Sequence, residues 1–272
     1  MKDPIMKEFT GIEVEKRKEI NSLMRDWKKS ISSLEVKIKY SDDNKNYLAE
    51  DYFASDGFFP GYYSQKPKVL FIAREARWMA SVEYHDYIAT FIRIFFPRDN
   101  QNRSQFTRRL LYIVEGIKNK GTLKFEKVKT ADSIAKEMVG KNDYGYAVMN
   151  ISKYSNDSKG GAVADKKLIN SFLEHSHLEK RNFFQEELAI LDPDVIITGN
   201  LWDGKIEQKY LDLCFGEMKK IDEIRGKAIV YEIRVSNKKI KLIDVYAFAS
   251  RYSDKEYFYD PVMKLLFHER KK

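Results

Sequence analysis

An α/β fold built on a mainly parallel sheet is what this chain predicts, and three observations predict it. Residues 69–73 (VLFIA), 145–151 (GYAVMNI) and 195–197 (VII) are short, nearly unbroken apolar runs. Runs of this length suit strands buried on both faces better than helices. Longer stretches with helical periodicity alternate with them, which is the pattern of βαβ units. Each run also ends abruptly in polar residues: Arg74-Glu75, Asn150 and Gly199-Asn200. In open α/β sheets ligands bind beyond the carboxyl ends of the strands, so these ends are where chemistry is expected.

Taken in order, Ile20, Leu23, Met24, Trp27, Ile31 and Leu34 recur at helical spacing with Lys and Arg between them. They predict an amphipathic helix over about residues 11–34. Residues 1–45 then read as an N-terminal helical extension, and 46–272 as the α/β domain. Residues 36–40 suit a short strand, and 41–46 a polar loop. Residues 51–67 (DYFASDGFFPGYYSQKP) combine Asp-Gly and Pro-Gly turn pairs with Phe58, Phe59, Tyr62 and Tyr63. This aromatic cluster suits either of two roles. It can stack on a base, with Phe59 as the base-binding candidate, or it can form a hydrophobic lid on the sheet edge.

Beyond the first strand, residues 82–96 predict a helix stopped by Pro97. Residues 98–109 (RDNQNRSQFTRR) are basic and polar and lead into a helix carrying Leu110, Leu111, Ile113, Val114 and Ile117. Residues 130–138, 165–173, 178–191, 201–213 and 261–267 predict further helices. Residues 228–235 and 240–248 predict two strands joined at Ser236-Asn237. Gly160 and Gly161 permit close backbone approach or positive φ. GxGxxG and GxxxxGK[ST] are both absent, so no dinucleotide or P-loop fingerprint is present.

Composition narrows the classes. The chain has 272 residues, 43% of them hydrophobic, enough for a sizeable core. A formal charge of +8 favours polyanion partners, as nucleic acid is. With one cysteine, Cys214, no internal disulfide, Cys-based zinc site or iron–sulfur cluster can form within the chain. The four histidines include only one close pair, His175 and His177, which do not share a helix face. Neither a metal nor a cofactor is expected. Residues 1–11 lack the apolar core of a signal peptide, and residues 88–96 are too short to span a bilayer. A soluble, cytoplasmic protein is expected, with its oligomeric state open.

The order and spacing of the strand ends resemble the uracil-DNA glycosylase superfamily. YAVMNISKYS is similar to the strand that ends in that family's base-reading Asn followed by a Lys. FFQEELAILDPDVIITGN is similar to its helix–Pro–strand–Gly segment. KVLFIAREA stands at the first catalytic motif, and VYAFASRYS at the last, usually His-Pro-Ser. The resemblance spans about residues 56–260. It is nearest to a divergent bacterial branch that pairs a DG…KVLF…EA opening with an N…K…GG segment. It implies a three-layer α/β/α arrangement with a basic cleft above the strand ends, into which a flipped base enters. Carried over by position, Glu75 is the catalytic residue that positions water, and Asn150 reads the base. Ser250 contacts phosphate, with Arg74, Arg77, Lys153 and Arg251 as further nucleic-acid contacts. Phe248 and Ala249 stand where the family has His and Pro, and Ala73 replaces an opening Gly.

Two functions follow, and the sequence leaves both open. One is a monofunctional DNA glycosylase acting in repair, in which water attacks C1′ and Glu75 orients it. Arg74 and Arg77 are expected to keep that carboxylate ionised. The other is an inactive nucleic-acid or nucleotide-binding module on the same fold, favoured by the missing His. A third reading is a hydrolase acting on a small nucleoside or nucleotide, which the basic residues 98–109 disfavour.

Overall fold

The computed structural model describes residues 9–37, 46–77, 79, 100–141, 145–156, 164–178 and 181–267. The helix expected over 82–96 and the Gly160-Gly161 loop lie outside the described residues. Eleven strands and seven α-helices are described. The strands are β1 (Glu35–Lys37), β2 (Asn46–Leu48), β3 (Gly57–Phe58), β4 (Val69–Glu75), β5 (Ala147–Ser152), β6 (His177–Leu178), β7 (Arg181–Asn182), β8 (Val195–Gly199), β9 (Lys219–Ile224), β10 (Ala228–Val235) and β11 (Lys238–Val245). The helices are α1 (Gly11–Ser30), α2 (Gln105–Lys118), α3 (Ala131–Lys141), α4 (Lys166–Ser176), α5 (Phe183–Leu191), α6 (Gln208–Phe215) and α7 (Asp260–Phe267).

Seven strands form one sheet in the order β3-β5-β4-β8-β11-β10-β9. The three apolar runs are its centre. β4 pairs in parallel with β5 on one side and with β8 on the other, and β8 pairs in parallel with β11. Val69, Leu70, Phe71 and Ile72 are wholly buried, as a strand covered on both faces requires. The expectation of a mainly parallel sheet is corrected at the flanks. β3, β10 and β9 all pair antiparallel. β10 and β11 are joined by Ser236 and Asn237, with φ of 46° and 67°. Positive φ at both central residues is the type I′ geometry that matches strand twist, so these strands must turn back on each other.

β9 was not legible in the sequence because KKIDEI has no apolar run. It is an exposed edge strand, and its charges discourage pairing with another chain. At the opposite edge the two-residue β3 caps β5. Here the aromatic loop is the lid on the sheet edge: Phe58 and Tyr62 are buried, and Tyr62 donates to Leu191 O at 3.1 Å.

α1 starts at Gly11, where the Thr10 N–H donates to the Glu13 carboxylate at 3.1 Å. Its Trp27 stacks on Phe183 of α5 at 5.4 Å and packs against Phe172 of α4. α1 therefore buries its apolar stripe in the same core as the sheet. The helix expected over 201–213 is shorter, beginning at Gln208, because residues 201–206 form turns around Gly204 (φ 77°).

Candidate active site

Parallel pairing fixes the register of the strand ends. Ala73 lies opposite Asn150 and Glu75 opposite Ser152, while Val245 lies opposite Gly199. In a parallel pair, opposed residues point to the same face, and residues two apart on a strand share it. Glu75 and Asn150 therefore share a face on neighbouring strands. They are offset by two residues, a Cα separation of about 8 Å from strand spacing and rise.

A cleft of about 1140 Å³ opens above this rim. Its lining includes Arg74, Glu75, Arg77, Asn150, Asn200 and Ser250, so all four strand-end segments expected to converge do so. Phe59 also lines it, packed on Tyr146 with ring centroids 4.6 Å apart. Arg103 and Lys205 add positive charge. Lys205 is shared with Asp203 at 3.4 Å.

Asn150 is held from behind. The segment before β3 runs beside the end of β5: Ala54 N–H donates to Lys153 O and Ser155 N–H to Tyr52 O, both at 2.8 Å. This brings Asp56 against Asn150. One Asp56 oxygen, Oδ2, accepts the Asn150 backbone N–H at 2.7 Å, and the other, Oδ1, accepts its side-chain Nδ2 at 2.9 Å. Lys153 closes the group. Its Nζ donates to Asp56, to Asn150 O at 2.9 Å and to Glu187 of α5 at 2.8 Å, and lies 4.9 Å from the Trp27 ring. Lys153 has no exposed surface, and its three N–H donors are used. The expectation that it contacts nucleic acid is corrected: it is a buried ammonium behind the cleft wall. Burial raises the pKa of Glu187 to about 8, against the lowering pull of Lys153.

Glu75 is held differently. It accepts from Asn156 Nδ2 at 2.8 Å and from the Asp165 backbone N–H, just ahead of α4, at 3.3 Å. No cation bonds it among the described residues. Burial raises its pKa, and the Asn156 and Asp165 hydrogen bonds only partly offset this; Arg77 contributes the weakest of the lowering effects. The expected flanking guanidinium pair is therefore corrected. Arg74 turns away, donating to Asn200 O at 2.8 Å and pairing with Asp203, which ties β4 to the loop after β8. Arg77 stays in the cleft, and its Nε is buried without a hydrogen-bond partner among the described residues.

The last motif is pinned by the last arginine of the basic segment 98–109. Buried Arg109 donates to Asp254 at 2.7 Å, to Phe248 O at 2.6 Å, to Ser250 O at 2.8 Å and to Tyr252 O at 2.6 Å. It also lies 4.0 Å over the Phe258 ring. Arg108 donates to the same Asp254 at 2.6 Å. Of the arginines of the basic segment among the described residues, Arg103 is the one that lines the cleft, with an exposed side chain. Phe248 is buried edge-on to Phe71 and Phe106, 5.8 and 5.7 Å between centroids. A side chain at Gly199 would meet its ring at 3.0 Å, so the glycine makes room for the phenylalanine. Ser250 lines the cleft, its Oγ buried and without a hydrogen-bond partner among the described residues, whereas exposed Arg251 is not in the lining.

Asp56 is the site residue that the sequence hid. Its Asp-Gly pair reads as turn chemistry, and nothing local marks an aspartate whose partner is 94 residues away. Among the described residues, no group of three or more His, Cys, Asp or Glu side chains is placed to hold a metal ion, and no helix is long and apolar enough to cross a membrane. No family model, curated protein or solved structure matches this chain.

Proposed function

We propose that the cleft binds a nucleobase of a nucleic acid, DNA foremost, and that the protein hydrolyses its N-glycosidic bond. The observation that carries this reading is the Asn150 carboxamide at the cleft wall. Asp56 occupies one of its N–H groups, while Oδ1 and the second N–H have no partner among the described residues. An acceptor beside a donor is the complement of a base edge. The fold is read as the three-layer arrangement of the uracil-DNA glycosylase superfamily, with a parallel centre ending in one cleft.

In this reading Asn150 grips the base and Phe59 walls its face. Water adds to C1′ as the bond to the base nitrogen breaks; the base leaves with the bonding pair, and the proton that the water loses ends on the departed base. Glu75 orients the water and stabilises the positive charge that develops on the sugar. Its Oε1 carries the Asn156 bond, and Oε2 receives only a share of the Asp165 N–H. Oε2 therefore retains capacity to accept from water. Arg77 and Arg103 supply phosphate contacts. A test is chromatographic detection of free base after incubation with oligonucleotides carrying uracil, hypoxanthine or an alkylated base. Release of one of them by the wild type and not by Glu75→Gln supports the proposal; release of none contradicts it.

A second reading, binding without catalysis, is favoured by Phe248. A buried phenyl ring stands where the superfamily places a His that stabilises the departing base anion, and it can donate no hydrogen bond. Under that reading the same oligonucleotides are bound and remain intact.

A further inference from the structure

We propose that Asp56 is a positioning residue that sets which end of the Asn150 carboxamide faces the cleft, and thereby which base edges are accepted. The inference deepens the base-binding reading and rests on it for its consequence, though not for its geometry.

A primary amide can turn over by half a rotation and exchange its oxygen for its nitrogen at almost no change in shape. Unfixed, Asn150 could meet a base with either pattern. One orientation suits a ring N–H beside a carbonyl, as in uracil. The other suits a ring nitrogen acceptor beside an amino group, as in cytosine. Discrimination therefore requires something that forbids the turn.

Asp56 meets that requirement. An ionised carboxylate only accepts hydrogen bonds, so the amide nitrogen must face it, and a turned-over amide would set oxygen against oxygen. Its two oxygens grip two different groups of the same residue, the backbone N–H at 2.7 Å and Nδ2 at 2.9 Å. This fixes the side-chain torsions as well as the face. Lys153 holds the third polar group of Asn150, its carbonyl, at 2.9 Å and also binds Asp56. A counter-ion for Lys153 alone would need neither the second oxygen nor the amide contact. Asp56 and Lys153 are 1% and 0% exposed by side chain, so water does not loosen the grip. Two features of Asn150 remain for a ligand, Oδ1 and one N–H.

Asp56→Asn replaces an obligate acceptor with a group that can face Asn150 with either end. The probes are single-stranded oligonucleotides that differ in one uracil or cytosine, with binding measured by titration at fixed salt. The wild type should prefer uracil by roughly tenfold or more, the discrimination of one good paired edge. In Asp56→Asn the ratio should collapse to near unity, while the melting temperature, measured alongside, identifies folded protein. A merely structural role would weaken both probes equally and preserve the ratio, which would overturn the proposal. Should Asp56→Asn fail to fold, Asp56→Glu keeps the charge for Lys153 while displacing both oxygens, and the same collapse is expected.

A ligand-free arm separates this inference from the function it serves. In the labelled full chain, the Asn150 side-chain amide proton bonded to Asp56, assigned by its loss in Asn150→Asp, should exchange slowly and become fast in Asp56→Asn. Fast exchange already in the wild type would overturn the positioning role. Slow exchange without any base preference would leave Asp56 positioning the amide and overturn the proposed effect on base choice, along with the base-binding reading itself.

Discussion

Asp56 and Glu75 both line the cleft, yet their surroundings differ in kind. Asp56 is buried against an ammonium, with its oxygens committed to Lys153 and Asn150. Glu75 is half-buried, meets neutral donors and has no bonded cation among the described residues. A carboxylate whose lone pairs and charge are satisfied by the protein can shape a site but has little left for a substrate. A partly desolvated carboxylate without a counter-ion is better suited to orient water and answer a developing positive charge. The two arginine groups repeat the contrast. Arg74 and Arg109 are buried and bonded to the chain; Arg103 is exposed at the cleft and Arg77 half-buried.

The largest effect should follow from breaking the Asp56 side. Lys153→Met leaves buried Asp56 and Glu187 without the ammonium that bonds them both and should cost roughly 3–5 kcal/mol in urea unfolding. An unchanged midpoint would mean that the ammonium does not hold the site. Next comes Arg109→Met, which frees the carbonyls of Phe248, Ser250 and Tyr252 and should cost about 3 kcal/mol. Arg103→Ala should change stability by no more than about 0.5 kcal/mol, yet weaken oligonucleotide binding and reduce its salt dependence. Equal stability losses at 103 and 109 would erase the contrast between clamp and contact.

Glu187 gives a pH test. Its folded pKa is raised to about 8 by burial, above the ordinary carboxylate value of the unfolded chain. The folded state thus holds a proton that the unfolded state releases, and stability is fully present below the unfolded pKa. It declines as pH rises through the window up to about 8. Glu187→Gln should flatten that decline in urea melts at pH 5, 6.5 and 8. An unaltered slope would place the decline on another group.

How much of this was legible depends on distance along the chain. The buried strands announce themselves because a contiguous apolar run needs no partner to be recognised, and Ser236-Asn237 marks its own turn. The polar residues after each run locate the rim for the same reason. Which charge works and which one holds was not legible. Arg74 and Asn200 are 126 residues apart, Arg109 and Asp254 145, and Lys153 and Asp56 97. A lysine after a strand end looks the same in sequence whether it faces a phosphate or Trp27. β9 escaped because an edge strand is half solvated and carries no apolar signature.

The smallest structural change carries the most direct test. Glu75→Gln keeps shape and hydrogen-bonding reach and removes the charge, so its melting temperature should stay close to that of the wild type. Oligonucleotide affinity should also be little changed, while single-turnover base release falls by roughly 10²-fold or more. Wild-type release should itself decline with falling pH from above the ordinary carboxylate range, since burial raises the Glu75 pKa and its ionised form is the active one. The measurement is single-turnover release of free base by wild type and Glu75→Gln, with melting curves on the same samples. A large loss of rate in a fully folded variant is what the contrast between the two carboxylates predicts. Equal rates, or a variant that fails to fold, would assign Glu75 to the scaffold with Asp56.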